Sequence, residues 1–129
     1  MNAGKRSVLL IEDNADNRYL ATLLLQDEGF GVVVAEDGMK GLAAAAASPF
    51  AFVLLDLQLP DLDGFEVARR IRELRTSAEL PIIAVSAFAM TTDRRRAFAA
   101  GCNGYLEKPI EPETFVAQVR CLAGPVSLP

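Results

Sequence analysis

The stretch "FAFVLLDLQLPDLDG" (residues 50–64) carries an unbroken apolar run, Phe50 to Leu55, that ends on a carboxylate, Asp56. Bounded by Ser48-Pro49 on one side and Leu59-Pro60-Asp61 on the other, the run reads as a strand buried on both faces. A charge at the tip of such a strand is expensive unless the tip opens into a polar site. In open parallel sheets, ligand sites lie at the carboxyl ends of the strands. Asp56 is therefore a candidate for chemistry, and the rest of the chain has to supply its partners.

Three further apolar runs resemble this one: Ser7 to Ile11, Val32 to Ala35 and Pro81 to Val85. A weaker fifth, Gly104-Tyr105-Leu106-Glu107, precedes Lys108-Pro109. Helical patterning fills the intervals. The first helix is expected from Asn14 or Ala15 to Gly29, capped by Asn14 or Asp16, with Leu20, Leu23 and Leu24 as its inward stripe. The second covers Gly38 to Ala47, where consecutive alanines suit close packing on a sheet. The third runs from about Gly64 to Arg75 with Phe65, Val67, Ala68, Ile71 and Leu74 inward and its arginines outward. The fourth starts near Thr91 or Thr92 and stops at Gly101. The fifth starts at Pro112 and buries Phe115, Val116, Val119 and Leu122. Strands alternating with helices imply an α/β fold in three layers. The expected sheet is doubly wound, five-stranded and parallel, in the flavodoxin-like order 2-1-3-4-5. Residues 1–129 read as a single domain with a core at about 6–123, no output domain and a short frayed tail from Gly124 to Pro129.

The totals narrow the function. Lys plus Arg number 13 against 17 Asp plus Glu, a net charge of -4, which argues against a nucleic-acid surface and hence against direct DNA binding. No secretory leader and no membrane span is visible, so the expected location is cytoplasmic. The chain has no histidine, which excludes Ser-His-Asp and Cys-His catalysis and any phosphohistidine on this chain. Cys102 and Cys121 have no metal-ligand spacing and are expected to be free, partly buried thiols.

In the order 2-1-3-4-5 the first and third strands are neighbours, and their tips carry Glu12-Asp13 and Asp56. The fourth strand ends in Ser86 and the fifth in Lys108-Pro109. Clustered carboxylates repel unless a cation or proton joins them. An all-oxygen set points to a hard ion, Mg2+ before others, with Mn2+ as a possible substitute. A lysine beside such a site makes sense if a further anion arrives. Phosphoryl transfer needs a metal, a cation and an in-line nucleophile, and Asp56 can be that nucleophile.

The pieces "VLLIEDN", "VLLDLQLPDLDG", "IIAVSAFA" and "GYLEKPI", in this order and spacing, make the chain resemble the CheY-like receiver domain of two-component response regulators. It is similar to stand-alone receivers of the DivK type and to receivers of hybrid kinases. The resemblance implies that Asp56 accepts a phosphoryl group from a histidine kinase or histidine phosphotransfer protein. It implies Mg2+ on Asp13, Asp56 and the backbone carbonyl of Gln58, with Glu12 acting through water. Lys108 would pair with the phosphoryl oxygens, Ser86 would move to hydrogen-bond another, and Tyr105 would rotate inward with it. The peptide bond before Pro109 is expected to be cis. The output would be a changed face of helix 4, strand 5 and helix 5 for an unknown protein target, on a monomer or a phosphorylation-dependent dimer. Glu12-Asp13 replaces the commoner Asp-Asp pair, and Gln58 and Phe88 occupy positions that tune phosphoryl lifetime in the family.

Other readings stand beside this one. Asp13 and Asn14 fit simple helix capping, Asp61 and Asp63 fit the turn before the third helix, and Phe88 and Met90 fit packing or partner contacts. Arg94-Arg95-Arg96 fits a solvated helix face or a partner patch. A flavin or nucleotide binder shares the fold, but "EDNADN" lacks the glycines and hydroxyls that cradle phosphate. A haloacid-dehalogenase-type phosphatase would offer a second Asp where Gln58 stands. A pseudo-receiver that binds partners without phosphorylation is the remaining alternative.

Overall fold

The computed structural model describes residues 6–87 and 91–123; Phe88, Met90 and the tail from Gly124 lie outside them. The elements alternate as β1 (Ser7–Ile11), α1 (Ala15–Asp27), β2 (Gly31–Ala35), α2 (Gly38–Ala47), β3 (Phe52–Asp56), α3 (Gly64–Leu74), β4 (Ile82–Ser86), α4 (Thr91–Ala99), β5 (Gly104–Glu107) and α5 (Pro112–Ala123). All four strand pairings are parallel and the order is β2-β1-β3-β4-β5. The register places Leu9 beside Val53 and Leu10 beside Leu54, so successive side chains feed opposite cores. Leu9, Ile11, Val53, Leu55, Ile82 and Ala84 pack against α2, α3 and α4. Val8, Leu10, Phe52, Leu54, Ile83 and Val85 pack against α1 and α5. β3 is buried along its whole length, as its apolar run requires, and the three layers follow.

Helix faces depart from the sequence reading in three places. On α1 the buried residues are Ala21 and Leu25 with Leu24 partly covered, while Leu23 is 46% exposed. The inward stripe is thus turned by one position, because four leucines within six residues allow several stripes and the alanine decides which fits the sheet. Leu74, at the last turn of α3, is 47% exposed. Arg72 does not point outward with Arg69 and Arg70, which pair with Glu66 on the helix surface. Its guanidinium reaches Leu80 O and Gly101 O, each at 2.8 Å, and Asn103 Oδ1 at 2.7 Å.

Of the capping residues, one acts away from the helix nearest to it. Asn14 caps α1 and Asp37 caps α2 through their side-chain oxygens. Asp63 caps α3 by accepting from Phe65 N. Asp61 serves a different helix from the one beside it in sequence: its carboxylate accepts from Gly38 N and Met39 N at 2.8 and 2.9 Å. Those amides have no intrahelical partner, so the β3–α3 loop is tied to the start of α2. Both cysteines are free; Cys102 is buried and Cys121 exposed. Burial pushes the Cys102 thiol up to about 12 against the pull of Arg72, which leaves it unreactive.

Candidate functional site at the carboxyl end of the sheet

Among the described residues three polar side chains are buried, Glu12 at 3%, Asp56 at 2% and Ser86 at 1% exposure. All three stand at the carboxyl ends of neighbouring strands. β1 delivers Glu12 and Asp13 just past Ile11, β3 delivers Asp56 as its last residue, and β4 delivers Ser86 as its last residue. Carboxylate oxygens of Glu12, Asp13 and Asp56 lie within 4.8 Å of one another. Lys108, after β5, reaches across with its Nζ 3.0 Å from Glu12 Oε1 and 3.2 Å from Asp56 Oδ2. The Lys108–Pro109 peptide bond is cis.

Each acid is held differently. Glu12 is fastened at both oxygens, by Lys108 on Oε1 and by the Asn14 amide on Oε2 at 3.1 Å. Asp56 accepts from Gln58 N at 2.9 Å on Oδ1. Asp13 is exposed, and because Asn14 performs the capping its carboxylate remains with the acid group. Arg18, which the sequence did not single out, donates to the backbone oxygens of Glu12 and Asp13 at 3.1 and 2.8 Å. It fixes the backbone that carries both acids. A basic residue one turn into the helix that follows an acid pair is the signal that could have found it.

The electrostatics follow from this geometry. Asp56 is pushed up to about 7 by burial first and then by its neighbour Glu12, while the Gln58 amide and Lys108 pull the other way. Burial disfavours the Lys108 ammonium, but hydrogen bonding to Glu12 and the charges of Asp56 and Glu12 outweigh it and hold the pKa above its ordinary value. The group is thus a pair of buried carboxylates sharing one lysine, with a third carboxylate at the mouth. The donor set is all oxygen, from residues on rigid strand ends, and it suits a hard divalent cation that keeps several waters. Mg2+ fits it. Asp13 and Asp56 would hold the ion, with Glu12 behind them.

Ser86 accepts a hydrogen bond from Gln58 Nε2 at 3.0 Å. Tyr105 pairs with Ala84 in the β4–β5 register and Ser86 with Glu107, so Ser86 and Tyr105 share a sheet face one pleat apart. Tyr105 is buried and packs in the α2–α4 core. The Arg94 guanidinium lies 5.1 Å from its ring centroid. Arg96 covers the Phe65 ring at 4.0 Å and approaches Asp63 at 3.8 Å. Two of the three consecutive arginines are therefore engaged within the molecule. Beside Tyr105 a polar depression of about 450 Å³ is lined by Arg94, Glu107, Lys108 and Gln118.

Residues 8–120 match the response regulator receiver domain model. The polar-differentiation response regulator DivK of Brucella ovis is 32% identical over 119 residues, covering 92% of this chain and 97% of that protein. Chemotaxis response regulator CheY4 of Vibrio cholerae has the same fold, with a TM-score of 0.86 at 28% identity over 92% of this chain and 98% of that one. The receiver domain of sensor histidine kinase PA1611 from Pseudomonas aeruginosa has a TM-score of 0.80 at 32% identity, covering 93% and 99% of the two chains. That structure has a magnesium ion coordinated in its active-site cleft.

Proposed function

The chain belongs to the response regulator receiver domain family, and on that premise we propose that it is a phosphorylation-controlled switch with Asp56 as phosphoacceptor. The observation that carries the reading is the burial of Glu12, Asp56 and Ser86 together at the strand ends with Lys108 bridging the two acids. Buried charge concentrated at one sheet edge is costly, and a site that receives an anionic group accounts for it. The donor is a phosphohistidine on a histidine kinase or phosphotransfer protein. A carboxylate oxygen of Asp56 forms the new P–O bond as the P–N bond breaks and the imidazole takes the electron pair. Bound Mg2+, or Mn2+ in its place, supplies charge neutralisation for the phosphoryl oxygens. Asp13, Asp56 and the Gln58 carbonyl would hold it directly, with Glu12 acting through water.

Lys108 gives up Asp56 Oδ2 to pair with a phosphoryl oxygen, and Ser86 turns toward another. Tyr105 follows, and the face formed by α4, β5 and α5 changes its affinity for a protein target in the cytoplasm. The test is intact mass after incubation with Mg2+ and acetyl phosphate. A single phosphoryl adduct is expected on the wild type and none on Asp56→Asn. The Lys108→Ala variant is expected to lose the conformational response; a wild-type response there would remove Lys108 from the switch. Absence of both an adduct and Mg2+ binding in the wild type would favour the phosphorylation-independent interaction module.

A further inference from the structure

One side chain connects the acceptor loop to the switch hydroxyl. Gln58 Nε2 donates to Ser86 Oγ at 3.0 Å, and Gln58 Oε1 lies 3.5 Å from the Ala87 backbone nitrogen. A backbone N–H can only donate, so Oε1 belongs on the Ala87 side and the NH2 is left to face Ser86. The backbone beneath this amide is itself held. Gln58 N donates to Asp56 Oδ1, and Gly64 N donates to Leu57 O at 3.3 Å. A Cβ at Gly64 would stand 2.5 Å from Leu57 Cα, so only glycine permits this closure of the loop. Next to the amide a cavity of about 220 Å³, lined by Gln58, Phe65, Ser86 and Arg96 among others, gives it room to swing away.

We propose that Gln58 is a positioning residue: its side-chain amide holds Ser86 in the phosphate-free arrangement and sets the threshold that a phosphoryl group must exceed to switch the molecule. This rests on the reading of Asp56 as phosphoacceptor. Ser86 Oγ accepts from Gln58 Nε2 here, and in this reading it leaves that amide as it turns toward Asp56. Phosphorylation therefore exchanges a neutral hydrogen bond for a charge-assisted one, and the difference drives the change. Without the amide the same phosphoryl group meets less resistance, and the switched state is more populated before it arrives.

The test uses Gln58→Met, similar in length but without a hydrogen-bonding amide, at a position exposed on its outer side where packing is not disturbed. Affinity for beryllofluoride in saturating Mg2+ is measured by amide NMR on wild type, Gln58→Met, Ser86→Ala and the double variant. Gln58→Met is expected to bind the mimic about three- to tenfold more tightly, the range of one net hydrogen bond. Its mimic-free Ala87 and Tyr105 resonances are expected to lie part of the way toward their saturated positions. In the Ser86→Ala background the same substitution is expected to change nothing. Wild-type affinity and wild-type resonances in Gln58→Met would overturn the proposal, and so would an equal effect with and without the Ser86 hydroxyl. A wild type that takes up no mimic would overturn the phosphoacceptor reading itself, an outcome distinct from either.

Discussion

Asp56 holds its proton far above the ordinary carboxylate range, and the cause has a measurable sign. Below about pH 3.8 the group is protonated in both folded and unfolded chains, and burial carries no ionisation penalty. Between that value and about 7 the unfolded chain ionises first while the folded site keeps its proton, so stability falls as pH rises. Above about 7 the penalty is complete. Asp56→Asn removes it and leaves Lys108 paired with Glu12. The metal-free variant is expected to exceed the wild type by about 2 kcal/mol at about pH 8, after allowance for solvent screening. The gap should close toward pH 4, as read by urea unfolding. Mg2+ is expected to raise the melting temperature of the wild type, more at pH 8 than at pH 6, and to do little for the variant. Equal stability of the two proteins across that range would remove the buried charge as a source of strain.

The residues of the candidate site were legible for a simple reason: strand tips announce themselves when an apolar run stops on a polar side chain. Glu12, Asp13, Asp56, Ser86 and Lys108 all follow such runs. Arg18, Asp61 and Arg72 were not legible, because their bonds go mainly to backbone groups, Asn103 Oδ1 on Arg72 being the side-chain exception. Backbone partners carry no residue-type signal.

At the scale of elements, Arg72 binds three segments at once. Its guanidinium serves Leu80 before β4, Gly101 after α4, and Asn103 before β5, whose side-chain oxygen also accepts from Ile82 N at 2.9 Å. Gly101 makes the approach possible. Its φ is +108°, and an added Cβ would stand 2.5 Å from Arg72 Cγ. Gly101→Ala is therefore expected to destabilise the fold by about 3 kcal/mol, combining backbone strain with loss of a charge-assisted hydrogen bond. The denaturation midpoint should drop at unchanged slope. A loss below about 0.5 kcal/mol would show that the loop relaxes without the guanidinium. The helix faces show why pattern alone fell short here. α3 announces its inward face through Phe65, Val67, Ala68 and Ile71, but α1 offers too many leucines, and the sheet selects the stripe that includes the small Ala21.

At the scale of the whole molecule, the strand order followed from the alternation of elements and the handedness of parallel crossovers. The five helices are not equally secured to that sheet. α3 buries five of its residues, whereas α4 buries Ala97 alone. Among the described residues its hold also includes Arg94 over Tyr105, Arg96 over Phe65 and beside Asp63, and the turn at Gly101 that Arg72 grips. Exposed guanidinium–ring contacts contribute about 0.5–1 kcal/mol each. Amide hydrogen exchange is expected to be fastest along α4 and slowest in β3 and β4, with α4 exchanging through local opening and the central strands only through global unfolding. Uniform protection of the two would contradict this. A helix that buries a single alanine is expected to open and re-form many times beside Ser86 and Tyr105 while the sheet beneath it stays folded.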